Sequence, residues 1–187
     1  MASGKRWKNY LGIPKHLIEI NGETLLGRTT RMLKERGQDY IITGHDERYK
    51  QYGTMIAQSK RDCEIDRFEE RNNPVLYLYG DVYYTDYALD KILEVQALDV
   101  LFFGHSQEIF AVKVIDTKMF YQHKAKIKEM YLKGEITRCI GWELYRSIVG
   151  IPLDKHWRWG KYYLIEDGTD DFDYPEDYNK FVERLNK

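Results

Sequence analysis

Two groups of residues in this sequence could bind a phosphate or a metal ion. They are cations near its start and carboxylates that follow apolar runs. A small-residue turn at Ser3-Gly4 leads directly into Lys5 and Arg6, and Lys15 adds another cation. Backbone N–H groups of such a turn can approach an anion closely, and the cations add Coulombic attraction. This stretch is therefore a candidate for phosphate binding, which the rest of the chain has to support. The alternative is an ordinary basic, flexible terminus.

The carboxylates stand where two apolar runs end. Asp81 follows the run Val75 to Tyr79, and an acidic run containing Asp171 and Asp173 follows Tyr162 to Ile165. In open α/β sheets, ligands bind beyond the carboxyl ends of the strands. Mg²⁺ needs a few carboxylate oxygens plus substrate phosphates, so the pattern favours a metal-phosphate site. The alternative is that Asp81 starts a turn and the acidic run is a solvated loop.

Composition narrows the class of protein. The 187 residues are 43% hydrophobic with a formal net charge of −1, which gives no broad electrostatic footprint for nucleic acid or an anionic membrane. No apolar run has the length of a membrane span and no signal peptide opens the sequence, so a cytoplasmic protein is expected. The two cysteines, Cys63 and Cys139, are expected as free thiols. The histidines lack metal-ligand spacing.

The elements that must position these residues alternate between short apolar strands and amphipathic helices. Helices are predicted after the caps Thr24, Thr85 or Asp86, and Asp116, and at Pro175. The pattern predicts one α/β domain over 1–187, layered around a mostly parallel sheet. The predicted strands lie at Leu17–Ile20, Tyr40–Ile42, Thr54–Ala57, Val75–Tyr79, Val100–Phe103, Ile109–Ile115 and Tyr162–Ile165.

Three segments, in order, resemble motifs of one enzyme group. Pro14–Leu17 with Asn21–Leu26 is similar to a PKxL…GxxLL element, Leu78–Val82 to an LxGD strand end, and Asp171–Tyr178 to a DIDTPEDY ending. The chain thus resembles nucleotidyltransferases of the glycosyltransferase-A type fold, which make activated sugars and related alcohols. The resemblance implies a single three-layer domain with a mixed, mostly parallel sheet. In that fold a buried first strand precedes the phosphate loop, and the sequence starts at Met1 without it, so that strand is expected to be missing.

The resemblance also implies site residues. Asp81 would be the first Mg²⁺ ligand, Asp171 or Asp173 the second, and Lys15 would contact the triphosphate or the acceptor phosphate. Catalysis would rest on Lys15 and Asp81. The residues that would contact the nucleotide are Ser3, Gly4, Lys5, Arg6, Lys15 and Gly80.

The implied reaction moves a nucleoside monophosphate from a nucleoside triphosphate to a small phosphorylated sugar or alcohol and releases pyrophosphate. CTP or UTP is favoured because the chain leaves no room for an added domain, and a homodimer is left open. One alternative is a glycosyltransferase of the same fold that uses a nucleotide sugar. Such enzymes usually carry Asp-x-Asp, whereas Val82-Tyr83 follows Asp81 here. The other alternative is a catalytically inactive binding protein.

Overall fold

The computed structural model describes residue 7 and residues 10–185, whose contacts group them into two compact units. The first unit takes its described residues from within 1–57, 79–89 and 167–187, and the second from 58–78 and 90–166. Helices and strands are interleaved along the chain, which confirms the α/β class. The prediction of one nucleotidyltransferase domain over 1–187 stays a prediction. No helix in this described part is both long and apolar enough to cross a membrane.

The elements are short. The helices are α1 (Leu25–Glu35), α2 (Asp86–Glu94), α3 (Thr117–Leu132), α4 (Gly141–Val149) and α5 (Pro175–Leu185). The strands are β1 (Glu19–Ile20), β2 (Glu23–Thr24), β3 (Ile42–Gly44), β4 (Met55–Ala57), β5 (Val75–Leu78), β6 (Val82–Tyr83), β7 (Val100–Gly104), β8 (Ile109–Val114), β9 (Tyr162–Leu164) and β10 (Asp170–Asp171). Short 3₁₀ helices lie at Tyr10–Gly12, Lys15–Leu17, Glu47–Tyr52 and Glu64–Arg67.

In the first unit, β1 and β2 form an antiparallel hairpin that leads directly into α1. Its turn residues Asn21 and Gly22 have φ angles of 54° and 79°. Positive φ at both central residues is typical of the type I′ turn, for which Asn-Gly is the preferred pair. The hairpin is absent from the sequence prediction because each strand is only two residues long, which leaves no alternation to detect.

The helix α1 begins and ends as the sequence predicts. The Thr24 side chain accepts a hydrogen bond from Gly27 N at 3.0 Å, and Gly37 follows the helix with a φ of 65°. One apolar cluster of the first unit joins the start of the chain to its end. Its buried members are Trp7, Ile18, Ile20, Leu25, Phe172 and Phe181.

The second unit is built on a four-stranded sheet in the order β5-β8-β7-β9. The strand β8 is antiparallel to both β5 and β7, and only β7 and β9 are parallel. The expectation of a mostly parallel sheet is therefore wrong for this sheet. The residues 105–108 between β7 and β8 are too few for a crossover, so the two strands form a hairpin. The three-layer arrangement and the missing first strand stay predictions.

Helices α3 and α4 complete the core of the second unit. Asp116 caps α3 by accepting a hydrogen bond from Met119 N at 2.9 Å, as predicted. The rings of Phe102 on β7 and Tyr145 on α4 pack edge to face with centroids 5.2 Å apart. Phe102, Phe120, Ile127, Leu144 and Tyr145 are all fully buried. Cys63 and Cys139 are free, as expected.

Candidate active site

A buried lysine in the first unit is held between two carboxylates. Lys15 is only 5% exposed. Its Nζ lies 2.8 Å from Asp81 Oδ2 and 3.2 Å from Asp173 Oδ1. These residues come from three distant parts of the sequence, so the fold itself assembles the cluster.

The backbone around Lys15 is fixed by local hydrogen bonds. Lys15 opens the 3₁₀ segment that follows Pro14, and Leu17 N donates to the Pro14 carbonyl at 2.9 Å. Ile18 N donates to the Lys15 carbonyl at 3.1 Å. Leu17 and Ile18 are buried, so this turn cannot rotate without exposing apolar surface. The lysine is therefore presented from a rigid support.

Asp81 lies in a tight segment that is closed by a fully buried tyrosine. The Tyr84 hydroxyl accepts a hydrogen bond from Tyr79 N at 3.0 Å and donates one to the Tyr79 carbonyl at 3.1 Å. Burial raises the pKa of Tyr84 well above its usual 10.0, so the group stays a neutral hydroxyl that can do both. Tyr84 thus fixes the chain on both sides of Asp81. No local sequence pattern indicates these two hydrogen bonds of Tyr84.

The strand pair β6–β10 brings the two carboxylates to the same place. Val82 is registered with Asp171, and Tyr83 with Asp170, in antiparallel pairing. Asp81 immediately precedes β6, and Asp173 follows β10 by two residues. The pairing therefore accounts for the convergence of Asp81 and Asp173 on Lys15.

Gly80 is required by close packing. A Cβ built at this position would lie 2.6 Å from Cδ2 of the His16 ring, which is inside the distance that carbon atoms tolerate. The His16 Nδ1 is 2.9 Å from the Tyr49 hydroxyl, so the ring is held in place. The structure thus gives Gly80 a packing role. Its contact with a nucleotide stays a prediction.

The two carboxylates stabilise the charged form of Lys15. Burial acts to lower the pKa of Lys15, but Asp81 and Asp173 outweigh it and raise that pKa above its usual 10.5. The lysine is consequently an ammonium at neutral pH. Water and salt screen the charge of a buried ammonium less than they screen the charge of a surface lysine, so Lys15 attracts anions more strongly.

The carboxylates suit a hard cation. Among the described residues, no group of three or more His, Cys, Asp or Glu side chains is placed to hold a metal ion. Mg²⁺ does not require such a cage, because it usually binds through one or two carboxylates together with water and substrate phosphates. Asp81 and Asp173 both contact the Lys15 ammonium, so both carboxylates lie within reach of one cationic group. The donor set fits Mg²⁺ held jointly by protein and substrate.

The structure brings some of the predicted site residues together and does not describe others. Lys15, Asp81 and Asp173 come together. Asp171 lies on β10 opposite Val82, and its carboxylate is close enough to Tyr84 to act, as Asp81 does, to raise the pKa of that hydroxyl. The predicted phosphate contacts at Ser3, Gly4, Lys5 and Arg6 lie outside the described residues.

Comparison with known proteins supports the fold assignment. No family model matches the chain, and no curated protein sequence matches it. Among solved structures, the chain is similar to the CTP:phosphocholine cytidylyltransferase from Streptococcus pneumoniae, with a TM-score of 0.62 and 16% sequence identity. The alignment covers 97% of this chain and 94% of that one. At this identity the likeness establishes a cytidylyltransferase-like fold.

Proposed function

We propose that this chain is a Mg²⁺-dependent nucleotidyltransferase that transfers a nucleoside monophosphate from CTP or UTP to a small phosphorylated alcohol or sugar. The observation that carries the proposal is the buried Lys15 ammonium between Asp81 and Asp173. A cation and two carboxylates on a rigid support are what a triphosphate and its metal ion need. Because a solved structure similar to this chain is a CTP:phosphocholine cytidylyltransferase, CTP with phosphocholine is the first pair to test.

The proposed reaction needs no nucleophilic side chain. A phosphate oxygen of the acceptor forms a bond to the α-phosphorus, and the bond from that phosphorus to the bridging oxygen breaks, so pyrophosphate leaves with the electron pair. Phosphoryl transfer of this kind depends mainly on positioning and charge neutralisation. Mg²⁺, when bound, would neutralise the charge that builds up on the phosphate oxygens.

The residues of the cluster divide this work. Asp81 and Asp173 would hold the metal ion and fix its position relative to Lys15. An ammonium has three N–H donors, and within the described residues the two carboxylates take two of them. Lys15 can therefore donate to a phosphate oxygen while Asp173 keeps it oriented. Tyr84 would maintain the turn that carries Asp81.

A pyrophosphate assay tests the proposal directly. The full chain would be incubated with Mg²⁺, each of the four nucleoside triphosphates, and either phosphocholine or one of several sugar 1-phosphates. We expect pyrophosphate only when an acceptor is present, together with a product whose mass equals acceptor plus nucleoside monophosphate. A folded sample that releases none with any pair would contradict the proposal. A parallel incubation with a nucleotide sugar in place of the triphosphate tests the alternative, because release of a nucleoside diphosphate there would identify a glycosyltransferase.

The second carboxylate can be assigned by a matched pair of variants. Asp173→Asn should lower kcat/KM roughly tenfold or more, because it removes a carboxylate that contacts Lys15. Asp171→Asn makes the same change of charge two residues away, and we expect it to retain activity within about threefold. Steady-state kinetics at saturating Mg²⁺ would check both. The reverse order of effects would assign the metal contact to Asp171.

A further inference from the structure

The second unit contains a cavity that the proposed reaction does not use. It has a volume of about 370 Å³ and lies beside α3, α4 and the segment that follows α4. Its apolar lining includes Ile127, Met130, Ile151 and Leu153, and its cationic lining consists of Lys126 and Arg146. All of these residues belong to the second unit, whereas Lys15, Asp81 and Asp173 belong to the first.

Arg146 is the unusual member of this lining. It is only 4% exposed, and its Nη1 donates to Glu143 Oε1 at 3.0 Å. Its Nε is buried and has no hydrogen-bond partner. A buried donor on a charged group is costly when it is left unsatisfied. Burial correspondingly lowers the pKa of Arg146, although the guanidinium remains charged at neutral pH.

Glu143 does not balance the positive charge around the cavity. The same Oε1 that accepts from Arg146 is 3.5 Å from Arg138 Nε, so two guanidinium groups share one carboxylate. Lys126 is the second cation of the cavity lining, beside Arg146. Asp154, the nearest acid along the following segment, is 3.4 Å from the ammonium of Lys155, and its charge also acts to raise the pKa of Arg146. The lining itself nevertheless holds two cations and no carboxylate. The cavity therefore has an excess of positive charge at one side.

The remaining polar group of the lining is uncharged. The Ser147 hydroxyl is 2.8 Å from Nδ1 of His123. Burial lowers the pKa of His123 below its usual 6.5, so its imidazole is neutral at pH 7. Ser147 and His123 consequently add hydrogen-bonding capacity near Arg146 without adding negative charge.

We propose that this cavity binds a small amphipathic anion. Its carboxylate or phosphate head would lie beside Lys126 and the Arg146 guanidinium, where a shift of the Arg146 side chain would let its buried Nε donate to the head. Its aliphatic part would pack against Ile127, Met130, Ile151 and Leu153. A pocket with an apolar wall and a few convergent polar groups is typical of small-molecule sites. The head group would add negative charge beside a guanidinium whose carboxylate partner, Glu143, is shared with Arg138.

Binding to the full chain can be measured with simple probes. Isothermal titration calorimetry would compare sodium octanoate, octyl phosphate, 1-octanol and inorganic phosphate below micelle-forming concentrations. We expect octanoate or octyl phosphate to bind at least tenfold more tightly than octanol, and the tighter of the two identifies the head group. Binding of octanol as tight as both anions would overturn the proposal. So would inorganic phosphate binding as tightly as octyl phosphate, because the apolar wall would then contribute nothing.

Three variants locate the binding. Ile151→Trp fills the cavity while leaving Arg146 and Glu143 in place, and we expect it to abolish binding of the tighter anion. Lys126→Gln should weaken binding about threefold or more. Lys118→Gln, on the exposed part of the same helix, is the matched control and should have no effect. Undiminished binding to a folded Ile151→Trp variant would place the anion elsewhere and refute the proposal.

Discussion

Replacing Asp81 with asparagine is expected to lower acceptor-dependent pyrophosphate release by about 100-fold or more in kcat/KM. The carboxylate contacts the buried Lys15 ammonium at 2.8 Å and is proposed to hold Mg²⁺. Asparagine keeps the shape of the side chain but removes its charge, so both the metal and the lysine lose their closest counter-charge. The measurement is initial velocity against substrate concentration over a series of Mg²⁺ concentrations.

The control for Asp81→Asn is Asp170→Asn. Asp170 makes the same kind of charged contact, 2.8 Å from Arg184, but on the surface of the unit. Surface ion pairs contribute about 0–1 kcal/mol, so we expect this variant to keep its activity and its stability. Asp81→Asn should remain folded, because Asp173 still pairs with Lys15. Retention of most activity in folded Asp81→Asn would remove Asp81 from the catalytic site.

The parts of the fold that depend on neighbouring residues could be predicted from sequence. The caps at Thr24 and Asp116 and the proline at the start of α5 use interactions within three or four residues, so their signals are visible locally. The hairpin of β7 and β8 could also have been predicted, because the short segment between them excludes a crossover. The alternation of strands and helices along the rest of the chain indicates a parallel sheet instead, and that general pattern conceals the local hairpin.

The candidate site could be predicted only in part. Asp81 alone is indistinguishable from a turn residue, and the resemblance to a family, rather than its own neighbours, connected it with Asp173 and Lys15. The burial of Lys15 depends on partners that are distant in sequence, and such contacts leave no local pattern. The pairing of β6 with β10, which brings the carboxylates together, involves only two residues from each strand. A segment of that length has no detectable periodicity.

Replacing Lys15 with methionine is expected to reduce activity by about 100-fold or more and also to reduce stability. The apolar side chain fills a similar volume but leaves Asp81 and Asp173 facing each other without a cation. Removing one partner of a buried ion pair costs about 3–5 kcal/mol, and the cost should be smaller here, about 2 kcal/mol, because both carboxylates are partly exposed. Urea denaturation at pH 7 without divalent ions would measure the loss of stability.

The stability difference between the native chain and Lys15→Met should depend on pH in one direction. The folded-state pKa of Lys15 is raised above its usual 10.5. Its contribution is therefore complete below pH 10.5 and is lost as the pH rises through the higher folded-state value. We expect the difference in free energy of unfolding to be constant from pH 7 to 10 and to shrink above that range. A difference that grows at high pH would mean that Lys15 is not held as an ammonium by the two carboxylates.

Mg²⁺ alone should stabilise Lys15→Met more than it stabilises the native chain. In the native chain the ammonium already neutralises Asp81 and Asp173, so a metal ion must compete with it for the same oxygens. In the variant these oxygens are available, and binding to the folded state raises the unfolding midpoint by mass action. The double variant Lys15→Met with Asp81→Asn should lose this additional stabilisation, because one of the two carboxylates is gone. Equal Mg²⁺ shifts in all three proteins would show that Asp81 and Asp173 do not bind the metal, whatever the activity of the enzyme. An additional shift confined to Lys15→Met would show that the lysine and Mg²⁺ use the same pair of carboxylates, as the proposed mechanism requires.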